Sequence, residues 1–357
     1  RVWVYYKSLW YRVAWINVFD GHRRIRKSPC GYQLTLMNRI KPPLTLFLLV
    51  ILFLFSVAPI SLSQSLQYGG FIFDAMAQID ERTDFTKAIK KVRKAGVSKL
   101  ALFARSRKYL GQNEEKVLEL RNSHKDLIIL GAPKHFLLRD DLDDDYISTT
   151  LENIDKHNYL FIGEILYTHA DKSHGEQTER GERYVDPLQP GNKKFLSELS
   201  GLNVPVMTHW EVYDWERDWP RFSKIYSEYR DIKFIIPHMA FGHPNQVEKI
   251  LSAHPNVYMT ISKKEKDQRS YSDRMKASKL GSGFLDSSKI LRSSWASILE
   301  TFQNRLLFAT DAHKRPRWKK YQKIIRKYRK MLGQLPREIA EKIAYKNAEI
   351  LYGVAVE

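Results

Sequence analysis

From Gly70 onward the chain repeats one unit: a short run rich in Val, Ile, Leu and Phe, then a polar-faced segment of helical period. The runs lie at Phe71–Asp74, Lys99–Phe103, Leu127–Leu130, Tyr159–Glu164, Val204–Thr208, Phe234–Pro237, Val257–Ile261 and Arg305–Asp311. Helical segments fall between them at Asp84–Lys94, Asn113–Ser123, Asp143–His157, Lys193–Leu199, Asp218–Arg230, Pro244–Ala253 and Ser287–Phe302. Arg317–Leu332 and Pro336–Tyr352 close the chain. Asp84 is placed to cap the first helix and Gly96 to stop it. Runs that are apolar throughout, rather than alternating, suit strands buried on both faces, as in a parallel sheet covered by helices. Eight such units predict an α/β fold, a (β/α)8 barrel of roughly 250 residues with a C-terminal closing helix. A doubly wound open sheet is the alternative, but the Gly-rich phosphate turn of that fold is absent after Phe73.

The stretch Leu202–His243 shows how such a frame presents chemistry. Two strand-like runs end in His209 and His238, with a charged helical segment between them. In a barrel, polar residues at the strand ends converge on one mouth. Here that rim comprises Met76 and Gln78 after the first strand, Arg105 after the second, and Lys134 and His135 after the third. Glu164 and His169 follow from the fourth, then His209, His238 and Asp311 from the fifth, sixth and eighth, with His313 behind. Two imidazoles and two carboxylates form a ligand set for Zn²⁺ or a similar divalent ion. Such an ion lowers the pKa of bound water, and a carboxylate such as Asp311 takes the proton. Each residue has a plainer reading: a buried structural histidine, a capping Asp, a solvated loop cation. Their coincidence on one rim favours the chemical one.

Composition narrows the class. Hydrophobic residues make up 43% and aromatics 12% of 357 residues, ample for a packed core and incompatible with wholesale disorder. The formal charge is +19, of which residues 1–63 carry +8 and the remainder +11. That surplus favours anionic surfaces or small anionic substrates, but no nucleic-acid-binding motif accompanies it. The basic run Lys314–Lys330 carries Tyr321, Ile324, Ile325 and Tyr328 at helical spacing, as a solvated helix face does. Cys30 is the single cysteine, so an intrachain disulfide is excluded and any metal site must use His and carboxylate.

The first 63 residues read differently. Met37, the basic Arg39 and Lys41, the apolar run Leu44–Ile60 and the small residues Ser61-Leu62-Ser63 have the layout of an export signal. The expectation is that residues 1–36 are a non-native or disordered extension and 37–63 a signal peptide cleaved near Ser63, delivering residues 64–357 to the periplasm or cell exterior. The rival is a membrane anchor through 44–60, at the lower edge of spanning length.

Several segments together resemble the amidohydrolase superfamily, in its decarboxylase- and lactonase-like branch. They are Phe73-Asp-Ala-Met-Ala-Gln-Ile-Asp80, Ile162-Gly-Glu-Ile165, Val206-Met-Thr-His209, Ile236-Pro-His-Met239, Pro255-Asn-Val-Tyr258, Leu306-Leu-Phe-Ala-Thr-Asp-Ala312 and the closing Ala340–Gly353. The resemblance spans about residues 70–353. It implies His209 as metal ligand, His238 as the histidine that polarises substrate or water, and Asp311 as ligand and general base, with Glu164 in a place some branches use for a metal. The chain departs from the family at the first strand, where Asp-x-His-x-His is expected and Met76 and Gln78 stand instead.

Together these features predict an exported hydrolase, using a divalent metal, zinc by its ligands, that cleaves a C–N or C–O bond of a small anionic substrate. Glu164, His209 and Asp311 are the expected metal ligands and Asp311 and His238 the catalytic pair. Met76, Gln78, Arg105, Lys134, His169 and the loop lysines at 263–266 are expected to meet substrate. The alternatives are a degenerate barrel acting as a binding or scaffold protein, and a metal-free Asp311/His238 acid–base site. Ser282, between Gly281 and Gly283, reads as a linker residue.

Overall fold

The computed structural model describes residues 67–105, 110–134, 141–170, 182–264, 281 and 283–356. The expectations for residues 1–36 and 37–63, for His135, for Ser282 and for Lys266 lie outside the described residues. Among the described residues no helix is long and apolar enough to cross a membrane.

Eight parallel strands build the barrel: β1 (Phe73–Ile79), β2 (Lys99–Ala104), β3 (Ile128–Leu130), β4 (Ile162–Leu166), β5 (Val206–His209), β6 (Phe234–Ile236), β7 (Val257–Thr260) and β8 (Leu306–Leu307). They pair in the orders β1-β2-β3 and β8-β7-β6-β5-β4. Two bridges join these arcs, Ala132 with Ile162 and Ala77 with Ala312, so the cylinder closes and leaves no free edge. An antiparallel ribbon, Thr168–His169 with Arg183–Tyr184, follows β4.

Alternate side chains of the strands divide into two apolar clusters. Phe73, Ala101, Phe103, Met207, Ile235 and Leu307 pack with one another inside the cylinder. Leu100, Leu102, Val206, Phe234, Ile236 and Leu306 pack outward with the helices. This two-sided burial explains the unbroken apolar runs. Register shifts fall between Asp74 and Ala77 in β1 and between Ile162 and Ile165 in β4. Such a bulge reverses the alternation, bringing Gln78 and Glu164 to the inner face above Phe73 and Phe161.

The first helix, α1 (Phe85–Lys94), is capped as expected, Asp84 accepting from the backbone of Lys87, with Gly96 beyond it at φ +65°. Three expected spans are corrected. The helix read as Ser287–Phe302 begins only at Ser293, because Asp286–Leu291 folds into a turn in which Asp286 accepts from Ile290 N–H at 2.9 Å. The span Arg317–Leu332 is two helices, Arg315–Lys319 and Tyr321–Leu332. The last span runs as Arg337–Glu341, a wider turn Lys342–Lys346, and Asn347–Tyr352. That final piece closes the barrel floor: Tyr352 lies against Phe73 and Phe161 and donates to Ala75 O at 3.0 Å.

Candidate active site

At the opposite end from Tyr352, the residues that end the strands meet in one buried, hydrogen-bonded cluster. Glu164 and Asp311 are its two poles, 2% and 1% exposed. Gln78 spans them: its Nε2 donates to Asp311 Oδ1 at 2.8 Å and to Glu164 Oε2 at 3.3 Å. Lys134 pairs with Glu164, and Lys263 pairs with Asp311. His209 Nδ1 lies 2.5 Å from Glu164 Oε1, and His238 Nε2 lies 3.7 Å from Asp311 Oδ2. The rings of His209 and His238 meet edge to face, 5.4 Å between centroids.

Local backbone aims these groups. His238, Met239, Ala240 and Phe241 all have φ between +50° and +60°, a left-handed turn that costs energy at each residue with a Cβ. It leaves β6 abruptly and sets the His238 ring against Asp311. Two hydroxyls hold that residue: the backbone N–H of His238 donates to Thr260 Oγ1 at 3.0 Å, and the ring Nδ1 lies 2.7 Å from Ser262 Oγ. Asp311 also has positive φ, +44°. Its neighbour Thr310 is pinned by Asp74, which accepts from Thr310 N–H at 2.7 Å, from its hydroxyl at 2.6 Å and from Tyr321 at 2.7 Å.

Burial sets the protonation states. It holds His209 down to about 4 and His238 well below the usual imidazole range, with the Lys263 charge adding to the effect on His238. His313 is likewise held to about 4 by burial. Burial pushes the Asp311 carboxyl up, but Lys263, His313 and His238 outweigh it and hold the group well below the usual carboxylate range. Burial lowers Lys134, and repulsion from Arg105, Lys263 and Lys314 lowers it further.

Of the expected site residues, Gln78, Lys134, Glu164, His209, His238 and Asp311 are brought together. Arg105 and His313 join the rim, Arg105 donating to His313 O at 3.2 Å and His313 Nδ1 lying 3.1 Å from Asp311 Oδ2. His169 sits further out, its ring 6.1 Å from that of His209. Met76 belongs to the apolar layer inside the barrel. The loop lysines separate: Lys263 reaches Asp311, whereas Lys264 is fully buried, its ammonium on Gly242 O at 3.1 Å and over Trp295, so it is a packing residue and not a rim cation. Sequence reasoning missed Glu211. This buried carboxylate accepts from Ala170 N–H at 2.8 Å and lies 3.2 Å from His209 Nε2. The signal was a charged residue two positions past His209, on the same side of the chain.

The sequence profile of a family described as Amidohydrolase matches residues 144–354. The chain belongs to the amidohydrolase family, and it is an enzyme of hydrolase type. No curated protein matches this amidohydrolase by sequence. Among solved structures it resembles a probable 2-pyrone-4,6-dicarboxylic acid hydrolase from Acinetobacter baumannii with citric acid bound. That match has TM-score 0.50 and 14% identity, covering 80% of this chain and 98% of the other. A candidate 2-pyrone-4,6-dicarboxylic acid hydrolase from Pseudomonas putida gives TM-score 0.52 and 13% identity, with the same coverage. At these identities the likeness establishes the barrel.

One divalent ion fits the donors of this amidohydrolase. Glu164, His209 and His238 each offer an atom within 4.8 Å of the others. Among the described residues His238 Nε2 is buried without a hydrogen-bond partner, while its Nδ1 is held by Ser262; Glu211 stands behind His209 Nε2. An imidazole with one nitrogen free and the other anchored is the usual form of a metal-ligating histidine. The first strand adds no ligand, since Met76 is in the core and Gln78 turns its N–H groups toward the carboxylates. Asp311 stands beside this triad, paired with Lys263.

Proposed function

We propose that the protein hydrolyses a C–N or C–O bond of a small anionic substrate at the Glu164–Asp311 cluster. The observation that carries this reading is Asp311: a buried carboxylate, held charged by its neighbours, beside a neutral imidazole. Asp311 accepts the proton of the attacking water, and where no ion occupies its Nε2, His238 faces the charge that develops on substrate oxygen. Burial lowers Lys134; Arg105, Lys263 and Lys314 stand close enough to lower it further, and a bound carboxylate relieves that repulsion. An anion that draws Lys263 away from Asp311 also raises the basicity of Asp311. The citrate-bound neighbour, named for a dicarboxylic acid, supports the anionic class.

Glu164, His209 and His238 are the residues that would hold a divalent ion, zinc by donor type. Such an ion supplies Lewis acidity and lowers the pKa of water. A second reading, acid–base catalysis without an ion, is favoured by one observation: Lys134 and Lys263 already neutralise the two carboxylates. Elemental analysis of the purified protein, with hydrolysis assays on carboxylate-bearing lactones, amides and esters, tests both. Stoichiometric zinc that is lost in His209→Ala together with activity supports the ion; activity in a chelated, metal-free enzyme supports the second reading. Absence of hydrolysis across the panel overturns the hydrolytic proposal. The layout of residues 37–63 supports export to the periplasm or exterior, or attachment through 44–60, which cell fractionation tests.

A further inference from the structure

Two site atoms are buried and have no hydrogen-bond partner among the described residues: Gln78 Oε1 and His238 Nε2. Gln78 is 2% exposed. Its orientation is fixed by chemistry. Nε2 carries two hydrogens, and Asp311 Oδ1 at 2.8 Å and Glu164 Oε2 at 3.3 Å take one each; reversing the amide would set an oxygen against two carboxylates. Oε1 can therefore only accept. A buried carbonyl left unpaired is unfavourable, and the two hydrogen bonds donated by Nε2 do not require it, since an ammonium would make them without a buried acceptor. The two orphan atoms also flank one carboxylate. Gln78 is bonded to Asp311 Oδ1, and His238 Nε2 stands 3.7 Å from Oδ2.

We propose that Gln78 Oε1 holds the attacking water against Asp311, making Gln78 a catalytic residue in the place where the family carries a metal-binding histidine. The proposal rests on the hydrolytic reading above. The water donates one hydrogen to Gln78 Oε1 and the other to Asp311, which leaves a lone pair for the substrate carbon. As the O–C bond forms, Asp311 takes the proton and the carbonyl π pair moves onto oxygen, facing His238. The pair on oxygen then re-forms the carbonyl as the C–N or C–O bond breaks, its electrons leave with the departing atom, and Asp311 returns the proton to that atom. Every proton and electron pair is accounted for within substrate, water and Asp311.

Two variants separate acceptance from positioning. Gln78→Lys still donates to Glu164 and Asp311 but cannot accept; Gln78→Leu does neither. A high-resolution crystal structure of the wild type is expected to show an ordered oxygen within about 3.2 Å of Gln78 Oε1. Gln78→Lys is expected to lose that oxygen while Glu164 and Asp311 stay in place, with kcat at least about tenfold lower and KM within about twofold. An Oε1 that is dry or bonded to protein, or a Gln78→Lys enzyme with unchanged kcat, overturns the proposal. If no substrate in the panel is hydrolysed, the hydrolytic reading falls, and the electron density at Gln78 still decides the acceptor.

Discussion

Glu211 turns back on His209 from two residues further along the chain, its Oε1 3.2 Å from the ring Nε2 while its Oε2 takes Ala170 N–H at 2.8 Å. The other ring nitrogen faces Glu164. The neutral ring carries one N–H; donated to the buried Glu211, it sets the direction of His209 and leaves the other nitrogen's lone pair toward Glu164.

Removing that hydrogen bond should cost catalysis more than folding. Glu211→Ala is expected to lower kcat by about 10–100-fold, as losses of such supporting carboxylates do. It strands Ala170 N–H, so stability should fall by about 1–3 kcal/mol. Steady-state kinetics and thermal unfolding on the same preparation check both; unchanged kcat would remove Glu211 from the site.

Asp311→Asn retains the shape and an oxygen for Gln78 but abolishes proton acceptance. We expect kcat to drop by about 10²–10⁴-fold, the usual worth of a general base. A variant within a few-fold of wild type would point to another base in the cluster.

Lys263 pulls Asp311 below the ordinary carboxylate range. Lys263→Ala should therefore move the acid limb of the kcat/KM profile to higher pH, because Asp311 then protonates more easily. KM for an anionic substrate should rise and become less dependent on salt. An acid limb in the wild-type position would show that Lys263 does not govern Asp311.

Stability should respond to pH in two opposite ways. Burial pushes the Asp74 carboxyl from 3.8 up to about 6, although Thr310 and Tyr321 hydrogen bonds oppose it. A raised carboxyl contributes stability below its unfolded value that is lost as pH rises through the folded value. His209 and His313, depressed to about 4 from 6.5, contribute stability above 6.5 that is lost as pH falls toward 4. The difference in unfolding free energy between wild type and Asp74→Asn should therefore decline between about pH 4 and 6 and level off above. His313→Asn should flatten the opposite slope. Urea titrations at several pH values check both signs.

The barrel was legible in the sequence because strands buried on both faces must be apolar along their whole length. Eight such runs separated by helices admit few closed arrangements. Which strand ends meet in the buried cluster was legible for a related reason: His209, His238 and Asp311 are polar residues at the exits of runs that otherwise exclude polarity. The strand-1 departure at Met76 and Gln78 could also be read directly from residue identity.

Other features depend on distances that one-dimensional order does not encode. The bulges in β1 and β4 decide that Gln78 and Glu164 face inward, and a register shift leaves no mark on composition. Lys263 and Lys264 are neighbours in the chain, yet one ends on Asp311 and the other over Trp295, because the turn beyond β7 passes through a left-handed backbone at Lys263, φ +56°. The left-handed turn at His238–Phe241 has no glycine to announce it. Residue types along the chain thus determined the frame and the kinds of group at its mouth. Tertiary packing alone decided which donor meets which acceptor, because a hydrogen bond is settled by tenths of an ångström even between atoms 233 residues apart, as Gln78 and Asp311 are.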